Sequence, residues 1–111
     1  DYLRIVSYYC SQAAYLAQRL SSMPEGDSNV LDNSMVLFLS NMWSGSNHDS
    51  TKVPVIQIGG FGGTVETGRV LDYSEESDSD RKLCSLYLSI MDRMGVSLDK
   101  FGDATTRLAG L

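Results

Sequence analysis

Along the first twenty positions, apolar residues recur at spacings of three and four: Leu3, Val6, Cys10, Ala13, Ala17 and Leu20. Arg4, Ser11, Gln18 and Ser22 fall on the other side, so the period predicts an amphipathic helix over residues 2–22. Tyr8, Tyr9 and Tyr15 widen the apolar stripe beyond what one solvent-facing helix needs. The helix ends near Met23, because a proline disfavours helical geometry at the residue before it. Pro24-Glu25-Gly26-Asp27-Ser28-Asn29 then reads as a turn cluster.

From Met35 to Leu39 the pattern changes. The apolar run is unbroken, with no alternation, and predicts a strand over 34–42 buried on both faces, as a central strand between helices would be. A second run, Val53-Pro54-Val55-Ile56-Gln57-Ile58, predicts another strand, with Pro54 tolerable near its start or at an edge. Two weaker strands, 64–67 and 69–71, flank Gly68. The acidic stretch 74–80 reads as a solvated loop delivering a cap and first-turn carboxylates to a second helix over 80–94. That helix gathers Leu83, Leu86, Tyr87, Ile90, Met91 and Met94 on one face and stops at Gly95. Residues 96–111 read as a mostly irregular tail.

These elements predict an α/β fold: a small mixed or parallel sheet, a long N-terminal helix and a second helix near the C-terminus, forming a single domain or domain fragment over 1–111. Two helices are too few to cover a doubly buried strand. The expectation is a homo-oligomer that completes its sheet, or a piece of a larger domain.

Composition narrows the function classes. Hydrophobic residues make up 42% of the 111 residues and charged residues 21%, a globular balance. Nine basic against fourteen acidic residues give a net charge of −5, which argues against nucleic acid or an anionic membrane surface as partner. No apolar run reaches the roughly 20 residues of a membrane span. The chain opens directly into its helical pattern without Met or a leader, and so reads as a processed product or fragment. Cys10 and Cys84 read as two buried thiols, or as a bridge if their Cα atoms approach within about 7 Å.

Candidate chemistry concentrates in the loop between the two strong strands. Residues 43–52 hold the only Trp and the only His. Polar groups just after a buried strand are where open α/β sheets bind ligands. His48 reads as a metal ligand, a proton shuttle or a plain surface histidine. Asp49 is placed behind such a ligand or facing solvent. Asn41 and Ser44 either hydrogen-bond a ligand or end the strand and form its turn. In Gly59-Gly60-Phe61-Gly62-Gly63, the glycines Gly59, Gly60, Gly62 and Gly63 allow either a sharp turn leaving the strand or a wall around the His48 site. No P-loop, dinucleotide fingerprint or nucleophile elbow is present. A catalytic zinc needs about three protein ligands, so one His without a Cys cluster requires carboxylates or groups from outside the chain.

Several short motifs occur in one order: Pro24-Glu25-Gly26-Asp27, Leu31-Asp32-Asn33-Ser34-Met35-Val36-Leu37, Gly45-Ser46-Asn47-His48-Asp49, Val53-Pro54-Val55 with Gly59–Gly63, Thr67-Gly68-Arg69, and Met94-Gly95-Val96 with Phe101-Gly102-Asp103. Together they resemble the C-terminal part of the HXXSHH-motif family, exported bacterial proteins whose domain has no established function. The family's naming histidine cluster is absent here. Phe61 interrupts the usual glycine turn, and Ala104-Thr105-Thr106 stands where Ser-Thr-Gly is usual. More distantly, His48 followed by Val53-Pro54-Val55 is similar to the C-terminal region of alkaline-phosphatase-like hydrolases. That resemblance implies an exported, periplasmic or secreted parent in which His48 binds zinc or another divalent metal. Asn41, Ser44, Asn47 and Asp49 would orient His48 or substrate, and the metal would act on a phosphate or sulfate ester. The alternative is a non-enzymatic α/β module for interaction or self-assembly.

Overall fold

The computed structural model describes residues 1–111, in two compact units, Asp1–Thr67 and Gly68–Leu111. The first unit opens with helix α1, Tyr2–Ser21, one residue short of its predicted end. Arg19 lies in its last turn, where a cation meets the negative end of the helix dipole. Ser22 and Met23 still donate back to the Gln18 and Leu20 carbonyls, so the chain leaves the helix only as it reaches Pro24.

The turn cluster is more structured than its composition suggests. Strands β1 (Pro24–Glu25) and β2 (Ser28–Asn29) pair antiparallel around a two-residue loop whose first position, Gly26, has φ +57°. A single helical turn, α2 (Val30–Asn33), follows. Asn29 caps it, its side-chain oxygen accepting from the Asp32 amide at 3.0 Å. The Asp32 carboxylate in turn accepts from Ser28 Oγ and Asn29 Nδ2. Elements this short are built by side-chain hydrogen bonds and carry almost no periodicity.

Strands β3 (Val36–Leu39) and β4 (Val55–Ile58) form a two-stranded antiparallel sheet, with Val36 opposite Ile58 and Leu39 opposite Val55. The chain is thus a small mixed α/β protein with two small antiparallel sheets and no parallel pairing. The apolar run of β3 reads as a strand covered on both faces. Instead Val36 to Phe38 are only half-buried and Leu39 is exposed. An apolar run reports that a strand is suited to burial, not that the chain holds enough cover for it. The segments 64–67 and 69–71 form no strands. No helix is long and apolar enough to cross a membrane.

In the second unit, α3 spans Leu83–Arg93 and buries Ser85, Leu86, Leu88 and Ser89. Its cap position is Lys82, without a side-chain cap, and its first turn holds no carboxylate. The acidic loop serves itself instead. Asp80 accepts from Ser77 Oγ, and Asp78 pairs with Arg81. The tail has no helix or strand, yet it is tied down at many points. Leu108 N–H donates to Ser85 O at 3.2 Å and to Ser89 Oγ at 2.9 Å. Arg107 grips the Asp92 carboxylate with two bonds of 2.7 and 2.9 Å, and Tyr73 Oη donates to the Ala109 carbonyl at 2.5 Å. Tyr87 and Phe101 meet edge to face with centroids 6.0 Å apart.

Candidate functional site

The polar loop is the connection of the β3–β4 hairpin. Within it a smaller hairpin closes. The Trp43 amide donates to Asp49 O at 2.8 Å, and the Asp49 amide donates to Ser44 O at 3.0 Å. Gly45 to His48 form the tip, with the His48 amide donating to Gly45 O at 3.4 Å. His48 holds φ +50°, in the left-handed region that costs most residues energy and that histidine visits more readily than branched ones. Its ring is exposed at the tip.

The neighbours proposed to orient His48 are engaged elsewhere. Asp49 Oδ1 accepts from the Thr51 amide at 2.9 Å and the Thr51 hydroxyl at 2.6 Å. Those bonds, the hydroxyl first, hold the Asp49 carboxyl below the usual aspartate range, helped by Lys52 and opposed by partial burial. Ser44 Oγ lies 3.3 Å from Ser46 Oγ and accepts from the Asn47 amide at 3.4 Å. Asn41 sits exposed beside the turn in which Ser40 Oγ donates to Met42 O at 2.9 Å. Ser44, Asn47, His48 and Asp49 are therefore brought together as one tip held by local bonds.

The glycine segment lies at the other end of the sheet. The loop leaves from the Leu39–Val55 pair, whereas Gly59 follows Ile58, opposite Val36. It therefore cannot wall the His48 tip. Its work is visible in its contacts. A Cβ on Gly59 would sit 2.3 Å from Ser34 O and 2.6 Å from Leu31 O, and one on Gly60 would sit 2.9 Å from Asp32 O. The Phe61 amide donates to Ser34 O at 3.0 Å and the Gly62 amide to Asp32 O at 2.9 Å. The segment thus satisfies carbonyls at the end of α2 that a one-turn helix cannot satisfy itself. Gly62 and Gly63, at φ +66° and +77°, complete the turn.

No three His, Cys, Asp or Glu side chains come together in a group that could hold a metal ion. His48 and Asp49 are adjacent but Asp49 is bound to Thr51, so the donor set of this chain does not fit a catalytic zinc. Both cysteines are free, Cys10 exposed and Cys84 half-buried, so the expected burial fails outright for Cys10.

The feature that sequence reasoning missed is an apolar cleft in the first unit. It has a volume of about 820 Å³ and lies between the N-terminal half of α1 (Tyr2, Val6, Tyr9, Cys10) and the sheet (Phe38, Leu39, Ile56), with Trp43 and Pro54 at its edge. No residue of α1 is buried; Ala13, Ala17 and Leu20 are half-covered, while Tyr2, Ile5, Tyr9 and Leu16 are exposed. The excess of tyrosine on α1 was the available signal. Compared with models of known protein families, with curated proteins and with solved structures, the chain has no significant match in any of the three.

Proposed function

We propose that this chain is a non-catalytic α/β contact module, the C-terminal portion of an HXXSHH-family protein, that lays α1 and the β3–β4 sheet against further protein. The observation that carries this reading is α1 itself. It is a 20-residue helix with an apolar stripe and no buried residue, beside an apolar cleft. Contiguous apolar surface of this kind marks a contact site on a soluble protein. The ordered run of motifs supports the family. The decisive measurement is zinc content and turnover of phosphate and sulfate esters by the purified chain. Neither tight zinc nor turnover above the uncatalysed rate is expected, and His48→Ala should change neither. Ester hydrolysis lost in His48→Ala would overturn the reading.

One observation favours a second reading for the parent protein. His48 is the only histidine and is held exposed at a hairpin tip with φ +50°, and backbone held in a costly conformation clusters at functional sites. In this reading the parent is an exported, alkaline-phosphatase-like metal-dependent ester hydrolase. The rest of its ligands come from outside this chain. Zinc stoichiometry of the parent before and after His48→Ala tests it; unchanged binding removes His48 from the site.

A further inference from the structure

The contact face has a definite shape. At 100° per residue, Tyr2, Tyr9 and Leu16 fall within about 40° of one another, with Ile5 beside them. They form a strip along nearly the whole length of α1. Leu20 and Ala13 lie on the same side, at or beside the angle of Tyr2, and Ala17 about 60° further round; the first unit half-covers all three, so the open strip runs from Tyr2 to Leu16. From Ile5 to Gln18 the helix carries no charged side chain. The strip continues across the cleft to Leu39, Ile56 and Trp43. All of these but Trp43 are aliphatic or tyrosine, and none is charged, so the net charge of −5 lies off the face.

We infer that the occupant of this face is a second copy of the chain, its α1 packed antiparallel to the first about a two-fold axis near Tyr9. Three observations support that choice over another partner. The face is self-complementary: Tyr9 meets the partner's Tyr9, and Tyr2 meets the partner's Leu16, so one patch closes on itself without leaving an edge for further growth. The charges at its ends also complement. Antiparallel packing sets Arg19 beside the partner's Asp1, whereas parallel packing would oppose Arg4 to Arg4 and Arg19 to Arg19; helix dipoles add to the same preference. Finally, the exposed parts of Tyr2, Ile5, Val6, Tyr9, Leu16, Leu39, Trp43 and Ile56 amount to roughly 800 Å² per copy, the area each partner contributes to an interface of standard size.

This inference rests on the reading of α1 as a contact face and adds the identity of what meets it. The test is sedimentation velocity of the chain between about 1 and 100 µM, where a species of twice the 12.2 kDa mass is expected. Tyr9→Glu should weaken association at least tenfold, with circular dichroism unchanged. Tyr15→Glu is the matched control. Tyr15 is 60% exposed against 58% for Tyr9 but lies about 120° around the helix, so its variant should associate like the parent chain. In a Cys10→Ser background, mixing Tyr2→Cys and Leu16→Cys chains should give a disulfide between the two variants under mild oxidation. A monomer at 100 µM, equal loss in Tyr9→Glu and Tyr15→Glu, or linkage only between identical variants would each overturn the proposal. A monomer without zinc or turnover removes the second copy and leaves the contact-module reading standing, whereas ester hydrolysis by the chain removes that reading itself.

Discussion

Helices α1 and α3 begin from the same kind of sequence and meet opposite fates. Both have an apolar stripe at helical spacing, and α1 is nearly twice as long. Yet α3 buries Leu88 completely, while α1 buries nothing. The difference lies in what the chain supplies next. After α3 come eighteen residues whose amides, carbonyls and side chains bond to Ser85, Ser89, Asp92 and Arg93. After α1 come a four-residue helix and two strand pairs, which half-cover only Ala13, Ala17 and Leu20. An amphipathic stripe states what a helix needs; only the remaining chain decides whether the need is met internally.

The sharpest way to break this comparison is in the better-packed unit. Leu88→Ala should cost about 3 kcal/mol by leaving a cavity around α3, seen as lost hydrogen-exchange protection of residues 83–93. In the first unit the costliest single change should be Gly59→Ala, about 2 kcal/mol or more in urea unfolding. The added methyl meets backbone carbonyls that cannot step aside, at φ +100°.

Acid should separate the units next. Asp92 is held below the usual aspartate range by its bonds from Arg107, aided by Arg93 and opposed by burial. Asp103 is held low first by a hydrogen bond from Cys84 and then by Lys82. A carboxyl whose folded pKa is depressed contributes stability above its unfolded value, about 3.9, and loses it as pH falls through the folded value. Thermal midpoints of the second unit should therefore fall below about pH 4, and Asp92→Asn should flatten part of that fall. Asp49 gives the first unit a similar but single dependence.

Smaller effects belong to the hairpin tip and to α1. His48→Gly should raise stability by up to about 1 kcal/mol by relieving the left-handed backbone, and His48→Val should lower it, both read from thermal unfolding. Tyr15→Ser should shift unfolding by no more than about 0.5 kcal/mol, since the residue is 60% exposed.

Both helices were legible in the residue pattern, α1 to within one residue at its end and α3 to within three at its start, because a stripe at spacing 3.6 is a local signal. The two strong strands were legible as segments. Their antiparallel pairing was not, since an apolar run carries no direction. The tip residues Ser44, Asn47, His48 and Asp49 were legible as a polar cluster. That Asp49 serves Thr51, two residues on, is a local turn bond that the loop reading passed over, whereas that Gly59 and Gly60 serve the end of α2 instead of the tip depends on contacts between segments.

By itself, the amino-acid order determined where this chain turns helical, where it extends, and that a tyrosine-rich stripe would seek cover. Those follow from steric preference and periodicity within a few residues. Tertiary structure alone decided which stripe is covered, which end of the sheet holds the glycines, and that a cleft lies open beside α1. Each of these depends on how much chain can reach a given surface, a quantity that no local pattern contains.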